Sequence, residues 1–302
     1  MNTNSAALGA AAPISAPVAF RRPSRGFWHT VGRRLARDPV TLVCGFILLT
    51  IIGLAVAAPW LGLDDPFKMS MVRRLKPFGY QGHLLGTDEL GRDMLSRLIH
   101  GGRLSLFLGF TPVVLATCIG GALGVIAGFV GGRWNMAIMR LIDVFYAFPS
   151  VLLAVAISGA LGAGLLNSIL ALTLVFIPPI ARIAESVTTQ VRTQDYVEAA
   201  RATGASGLRI IRSHVLSNVT GPILVYASSL ISVSIVVSSG LSFLGLGVSP
   251  PNAEWGLMLN ALRQAIYVSP ITAILPGVMI FVTSMCCSLM SDGLRSAMDV
   301  KA

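Results

Sequence analysis

Residues 144–181 read VFYAFPSVLLAVAISGALGAGLLNSILALTLVFIPPIA, and they decide the fold because the stretch contains no acidic, basic or histidine side chain. A membrane-spanning helix needs about 20 mostly apolar residues to cross a hydrocarbon core of about 30 Å. As a single helix the stretch would be about 57 Å long, at 1.5 Å per residue. We therefore predict that it crosses a membrane twice and turns back near Gly162, Gly164 and Asn167.

Four further stretches without charged side chains lie on either side of this one, and each predicts one span. They are residues 40–63, 104–132, 219–253 and 264–291. The span within 219–253 is expected to end near Gly240, and the residues after it to form an interfacial or partly re-entrant segment. The sequence thus predicts an all-α polytopic membrane helical bundle of about six transmembrane helices, with seven as the main alternative.

The composition excludes a soluble enzyme. Of the 302 residues, 54% are hydrophobic and 12% are charged, and the mean hydropathy is +0.75. Soluble globular domains carry about 25% charged residues. The cysteines lie inside the apolar stretches and have no histidine at metal-ligand spacing, so we predict packed side chains and no metal site. They are Cys44, Cys118, Cys286 and Cys287.

The basic residues orient the predicted spans. The chain has 23 Lys and Arg against 13 Asp and Glu, a formal net charge of +10. With six spans and the N-terminus inside, most of the basic residues fall on the cytoplasmic side, as the positive-inside rule expects. This arrangement predicts a disordered basic tail at 1–37 and a transmembrane domain at 38–302, with an outer loop at 64–103 and an inner loop at 184–218. The charge also favours contact with anionic lipid over nucleic acid.

The inner loop carries the most specific sequence in the chain. Residues 195–214 read DYVEAARATGASGLRIIRSH. Asp195 is expected to cap a short helix, Glu198 to lie in its first turn, and Gly204 to end it. A second short helix is expected to follow, with an apolar face of Leu208, Ile211 and Val215. Such a pair predicts either a rigid projection for a cytoplasmic partner or an ordinary connector with a solvated charged face.

The pattern Glu-Ala-Ala-x-x-x-Gly at 198–204 resembles the EAA loop of the permease subunits of ABC importers. In that family the loop is a coupling helix that docks into the ATP-hydrolysing subunit. The resemblance implies this role for the following residues of the loop: Asp195, Glu198, Ala199, Ala200, Arg201 and Gly204. The family often has proline three residues after its histidine, whereas here Ser217 follows His214 at that spacing.

Residues 83–93 read HLLGTDELGRD and resemble a signature of peptide and nickel importer permeases, with Leu84 in place of the usual proline. Thr87 or Asp88 is expected to cap an interfacial helix that runs to residues 101–102. Within that helix we expect the ion pairs Asp88–Arg92 and Asp93–Arg97, four residues apart, and a structural role. The signature residues are Gly86, Thr87, Asp88, Gly91, Arg92 and Asp93. Residues 33–299 as a whole resemble the second permease subunit of this family, which has a type I ABC importer permease fold.

Two patterns of small residues concern packing inside the membrane. Glycines recur every four residues in the second span and predict a close contact between helices, within the chain or with a partner. These are Gly120, Gly124, Gly128 and Gly132. Serines of the fifth span either line a pore or bond to their own helix. The candidates for a pore lining are Ser228, Ser232, Ser234 and Ser238.

The chain has no visible energy source of its own. None of its three lysines follows a glycine, so it has no phosphate-binding Gly-Lys-Ser/Thr loop, and no catalytic motif is present. The ionisable residues nearest to the apolar stretches, Asp143, Arg182 and Glu185, are placed at span ends, whereas an ion-coupled transporter is expected to hold such groups within its spans. The sequence therefore predicts a protein that is not an enzyme.

The resemblance implies a set of partners in a bacterial cytoplasmic membrane. They are a homologous second permease subunit, two ATPase subunits that bind ATP and Mg, and an extracytoplasmic substrate-binding protein. No cofactor is expected in this chain. The solute is left open among peptides, nickel chelates, glutathione and opine-like compounds. The alternative function is an ion-coupled secondary transporter or channel subunit.

Overall fold

The computed structural model describes residues 27–298, and within this range every extended regular element is a helix. The first six are α1 (Phe27–Leu35), α2 (Pro39–Ala57), α3 (Met94–Val130), α4 (Gly132–Tyr146), α5 (Ser150–Leu161) and α6 (Leu165–Arg192). The others are α7 (Asp195–Ala202), α8 (Gly207–Ile210), α9 (Leu216–Phe243), α10 (Trp255–Leu262) and α11 (Pro270–Met298). The all-α prediction is confirmed.

The spans agree with the predicted number of about six. Five helical segments are long and apolar enough to cross a membrane, and there are six if α4 and α5, which are bent by 84° at a short break, count as one span. Pro149 lies at this break, directly before α5. The predicted turn between the third and fourth spans is also confirmed, because Gly162 has a φ of +86° and the side chain of Asn167 donates to the carbonyl of Leu161 at 2.9 Å.

The N-terminal prediction is wrong in part. Residues 1–26 of the predicted tail lie outside the described range. The remainder contains α1, which contacts α11 and buries Val31. Asp38 then caps α2, with its carboxylate 3.2 Å from the backbone nitrogen of Thr41. The start of α2 packs against the end of α11, because Gly293 lies directly beside the Thr41 side chain.

The second short helix of the inner loop is not a separate element. α8, a π-helical turn at Ile211–Val215 and α9 form one helical segment, Gly207–Phe243. The sequence between residues 208 and 220 contains neither glycine nor proline, so nothing in it ends the helix. The inner loop is therefore shorter than predicted, since α6 also continues to Arg192 before α7 begins.

The glycine repeat brings α3 and α6 into close contact within the chain. A Cβ atom at Gly120 would lie 2.7 Å from the carbonyl oxygen of Ile177, and one at Gly128 would lie 2.7 Å from that of Glu185. Gly124, between them, faces the carbonyl of Ala181. These contacts confirm the small-residue prediction and decide that the neighbour belongs to the same chain. Gly132 has no such neighbour and lies where α4 begins.

The residues after α9 fold back onto the outer part of α3, which fits the predicted interfacial segment. Trp255 is fully buried, and its ring nitrogen donates to the carbonyl of Leu98 at 2.9 Å. Glu254 caps α10 and accepts the backbone N–H groups of Gly256 and Leu257 at 2.9 and 2.8 Å. The Ser105 hydroxyl of α3 donates to the same carboxylate at 3.2 Å. This hydrogen-bonded joint fixes α10 against α3.

Candidate functional site

The predicted coupling residues lie on α7, a two-turn helix between α6 and α8. Val197 is completely buried and anchors α7 in the main hydrophobic core, together with Ile210 and Val215. Glu198 and Ala199 are exposed on the outer surface of the helix. The structure therefore gives α7 a buried base and an exposed face.

Both ends of α7 are fixed. The helix begins at Asp195, with Gln194 at the capping position, so the prediction that Asp195 is the cap was displaced by one residue. Asp195 and Glu198 still lie in the first turn, where the helix dipole favours carboxylates. Gly204 ends the helix as predicted: its φ is +81°, and the backbone nitrogen of Ala205 donates to the carbonyl of Ala200 at 3.1 Å.

Arg201 connects α7 to the C-terminal end of α3. Its guanidinium carbon lies 5.4 Å from the centre of the Phe129 ring, a cation–π contact. Gly207, at the start of α8, approaches the same ring, because a Cβ there would lie 3.4 Å from Phe129 Cε1. The residues of α7 and the start of α8 therefore both contact the end of α3.

The outer signature forms a buried loop and not the start of a helix. α3 begins at Met94, with Asp93 as its cap. The predicted helix start at Thr87 or Asp88 is wrong because Gly86 and Gly91 have φ values of +70° and +72° and lie against the backbone of residues 70–77. Sequence spacing alone does not reveal these long-range contacts.

One of the two predicted ion pairs of the signature is confirmed. Asp88 Oδ2 lies 2.6 Å from Arg92 Nε. Arg97 does not pair with Asp93 as predicted; its Nε lies 3.2 Å from the same Asp88 oxygen. Asp93 instead accepts the backbone N–H of Ser96 at 2.7 Å. Because the helix starts at residue 94, Asp93 is its cap. Its carboxylate therefore does not lie on the helix face where it could pair with Arg97.

His83, Asp93 and Asp64 form a cluster that the sequence analysis did not suggest. Their potential ligand atoms all lie within 4.8 Å of one another. His83 Nδ1 lies 2.9 Å from Asp93 Oδ1 and 3.6 Å from Asp64 Oδ2. Asp93 uses its other oxygen to cap α3, and Arg73 lies 3.4 Å from His83 Nε2. Hydrogen bonds and charge pairing within the outer segment thus account for the cluster.

Three cavities follow one face of α9. The first, of about 840 Å³, lies among the inner parts of α6, α9 and α11. The second, of about 310 Å³, lies between the bent pair α4–α5 and helices α6 and α9. The third, of about 450 Å³, lies between α9 and α11. Tyr226 lines the first two and Val233 the last two, so neighbouring cavities share a lining residue.

The four candidate pore serines occupy different positions. Ser234 and Ser238 are 0% and 2% exposed, and they donate to the carbonyls of Leu108 and Ile235. Ser234 therefore bonds across to α3, and Ser238 bonds to its own helix. Ser228 shares a hydrogen bond of 2.8 Å with Ser291. Ser232 lines the third cavity, and a pore role for Ser228 and Ser232 stays a prediction.

The fold is that of a polytopic helical membrane protein, and the sequence comparisons identify its family. A family model described as "Binding-protein-dependent transport system inner membrane component" matches residues 120–300. A second model, "N-terminal TM domain of oligopeptide transport permease C", matches residues 26–77. The chain belongs to the family of binding-protein-dependent transport system inner membrane components. It is a non-catalytic ABC importer permease subunit, as the resemblance implied.

Similar proteins match over nearly their whole length. The "Glutathione transport system permease protein GsiD" of Pectobacterium atrosepticum is 38% identical over 98% of this chain and 97% of its own. The "Di/tripeptide transport system permease protein DppC" of Pseudomonas aeruginosa is 40% identical over 96% of both chains. In the solved inward-facing MetNI methionine ABC transporter, one chain matches with a TM-score of 0.56 and 19% identity. That match covers 68% of this chain and 97% of the solved one, and it confirms the type I fold.

Proposed function

We propose that this chain forms one half of the solute pathway of an importer for peptides or a related small solute such as glutathione. A homologous permease subunit completes the pathway, and an extracytoplasmic binding protein delivers the solute. Two ATPase subunits, which bind ATP and Mg, dock at α7. The names of the similar permeases, which refer to di/tripeptides and glutathione, support this solute class.

The observation that carries the proposal is the form of α7 within the family match. Its exposed face holds Glu198 and Ala199, while its base is held by the fully buried Val197. An amphipathic helix that only connects two spans also buries one face, so it is the family match that favours docking. The face supplies contacts, and the base transmits force into the bundle.

The same geometry supports an orientation with the N-terminus inside. The start of α2 lies beside Gly293 near the end of α11, and Gly221 near the start of α9 lies beside Met298. The first helix, the last helix and the α7 region therefore meet at one end of the bundle. With six crossings, both ends of the bundle's chain lie on the side where the ATPase subunits dock.

In the proposed cycle, ATP binding closes the ATPase pair and moves α7. Because α8 and α9 are one helix, the motion of α7 reaches the face of α9 that carries the three cavities. The bundle then shifts between inward-open and outward-open states, which differ in their contacts with the ATPase subunits. This chain contributes movement and a pathway wall, and its partners contribute the hydrolysis.

The proposal is tested with Glu198→Lys in the complete transporter. Reversal of the charge on the exposed face is expected to lower the retention of the ATPase subunits and to abolish ATP-dependent uptake, while the subunit still inserts into the membrane. Asp65→Lys, a reversal at another exposed carboxylate in the predicted outer loop, is the control and is expected to keep both the ATPase subunits and the uptake. Normal uptake by the Glu198 variant contradicts the docking role.

A further inference from the structure

A short segment between α2 and α3 exposes apolar and basic side chains beside one another. Met69, Met71 and Val72 are 55%, 68% and 85% exposed. The exposed basic side chains of the same segment are those of Lys68, Arg73 and Arg74. We refer to these six residues as the basic patch. Neighbouring apolar side chains that are exposed to water and rimmed by polar ones mark interaction sites.

The basic patch lies at the end of the bundle opposite α7. Helix α3 runs for about 50 Å from Met94 to Phe129, whose ring contacts Arg201 of α7. At the other end of α3, the backbone nitrogen of Met94 donates to the carbonyl of Gly86 at 3.1 Å. Gly86 in turn packs against the backbone of Lys76, directly after the patch.

The depth of this end places the patch in water and not in lipid. The charge-free residues of α3 begin at Leu104, so Met94 lies about 15 Å beyond them. Ala55, near the end of α2, lies level with Gly102, because a Cβ atom on Gly102 would be 3.3 Å from Cβ of Ala55. The headgroups add only about 5–8 Å on each side of the hydrocarbon core. The segment that packs before Met94 therefore extends past the headgroups.

The signature residues hold the patch in a fixed conformation. The backbone nitrogen of Ser70, in the middle of the patch, donates to the carbonyl of Leu90 at 3.0 Å. The Thr87 hydroxyl accepts the backbone N–H of Lys76 at 2.9 Å and donates to the carbonyl of Arg73. A surface that is rigid before it binds loses little conformational entropy on binding. The signature thus acts as a clamp under the patch.

The charge of the segment selects an acidic partner. Residues 66–82 contain four basic and no acidic side chains. The two aspartates just before them bond elsewhere: Asp64 lies 3.6 Å from His83, and Asp65 accepts the backbone N–H of Phe67 at 2.9 Å. Complementary charge across an interface speeds encounter and excludes wrong partners.

We propose that the basic patch is a docking surface for the extracytoplasmic binding protein, which meets it with acidic side chains around an apolar centre. The family is described as binding-protein-dependent, and the patch lies at the opposite end of the bundle from the proposed site of the ATPase subunits. The patch is also rigid and basic, and it lies outside the lipid. This inference rests on the proposed function.

The test uses the complete transporter in proteoliposomes and its binding protein loaded with glutathione or dialanine. The measured quantity is the concentration of loaded binding protein that gives half-maximal stimulation of ATP hydrolysis. Arg74→Glu is expected to raise it by about tenfold, because a repulsive charge replaces an attractive one. The maximal stimulation and the retention of the ATPase subunits are expected to be unchanged, since α7 is untouched. Arg263→Glu, at an exposed arginine after α10, is the control and is expected to leave the concentration unchanged.

Val72→Ser tests the apolar part of the patch. It is expected to raise the half-maximal concentration several-fold while the dependence on salt stays as in the unmodified transporter. Arg74→Glu, in contrast, is expected to reduce the dependence on salt, because screening weakens the charge attraction that this variant removes.

Three results overturn the inference. If both patch variants keep the unmodified half-maximal concentration, the binding protein does not contact the patch. If Arg74→Glu and Arg263→Glu raise it equally, the effect is general charge attraction. If the rise occurs only in vesicles with anionic lipid and disappears in neutral vesicles, the patch binds lipid instead.

The unmodified transporter distinguishes this inference from the proposed function. If the loaded binding protein does not stimulate ATP hydrolysis at all, the proposed function is contradicted. If stimulation is normal and the patch variants have no effect, the proposed function stands and only the docking surface is wrong.

Discussion

Asp88 and Arg92 form a buried ion pair in the loop before α3. The Asp88 Oδ2 and Arg92 Nε atoms are 2.6 Å apart, and the two side chains are 2% and 5% exposed. The other carboxylate oxygen accepts the backbone N–H groups of Leu90 and Arg92, each at 2.9 Å. One carboxylate therefore fixes the loop that leads into α3.

Asp88→Asn is expected to destabilise the subunit strongly. The change leaves Arg92 and Arg97 buried beside a neutral amide, and the loss of one partner of a buried ion pair costs about 3–5 kcal/mol. Thermal unfolding of the purified transporter checks this. Asp65→Asn, an exposed change in the same outer segment, is expected to have an effect below about 0.5 kcal/mol. Equal stability of the two variants contradicts the structural role of the signature.

Gly124→Ala and Gly121→Ala form a matched pair on α3. A methyl group at Gly124 meets the carbonyl of Ala181, so α3 and α6 must separate at a cost of about 1–3 kcal/mol. At Gly121 the added methyl group meets nothing within 4 Å, and alanine is the better helix former by about 1 kcal/mol. The unfolding temperature is expected to fall for the first variant and to hold or rise for the second. The reverse order is incompatible with the close α3–α6 contact.

Val197→Ala is expected to uncouple hydrolysis from transport. The exposed face of α7 is unchanged, so the ATPase subunits still bind, but removal of the buried anchor weakens its base by about 2 kcal/mol. Simultaneous measurement of ATP hydrolysis and uptake is expected to show a several-fold lower ratio of solute to ATP. Thr193→Ala, an exposed change just before α7, is expected to keep the ratio. A normal ratio for the Val197 variant argues against transmission through its base.

The buried carboxyl of Glu254 is expected to make the free energy of unfolding depend on pH. Burial raises the pKa of this carboxyl, and the backbone N–H groups of Gly256 and Leu257 oppose the rise. A carboxyl with a raised pKa in the folded state binds its proton more tightly there than in the unfolded chain. Its contribution to the free energy of unfolding is therefore greatest below its ordinary pKa of 4.5 and is lost as the pH rises through the raised value.

Glu254→Gln removes the titrating group while it keeps an acceptor at the cap of α10. The unfolding temperature of the unmodified transporter is expected to fall more steeply between acid and neutral pH than that of the variant. The difference between their two curves is the measured quantity. Parallel curves contradict a titration of Glu254 in this range.

The sequence was sufficient to predict the features that depend on local composition. Charge-free stretches of sufficient length predict spans whatever their neighbours are, and the turn at Gly162 follows from the length of the stretch around it. The glycine repeat on α3 likewise predicts a close helix contact from the sequence of one segment alone. The sequence did not identify α6 as the neighbour, because a small-residue face is compatible with any helix that approaches it.

The features that the sequence did not predict depend on contacts between residues far apart in the chain. The loop before Met94 depends on Gly86 and Gly91 packing against residues 70–77, which helix propensity does not report. The partner of Arg97 changed from Asp93 to Asp88 once the helix start moved. The pair Asp143–Arg182 joins residues of different helices, so the spacing of charges along one helix could not reveal it.

The helical segment Gly207–Phe243 has 37 residues and is therefore about 55 Å long. One end of this segment follows α7. Near its other end Ser239 packs closely against Gly256, since a Cβ atom on Gly256 would lie 2.7 Å from Cα of Ser239. If such a rod tilts by about 10° around its midpoint, each end moves by about 5 Å in the opposite direction. In the proposed cycle, such a tilt couples widening of the bundle at one end to narrowing at the other.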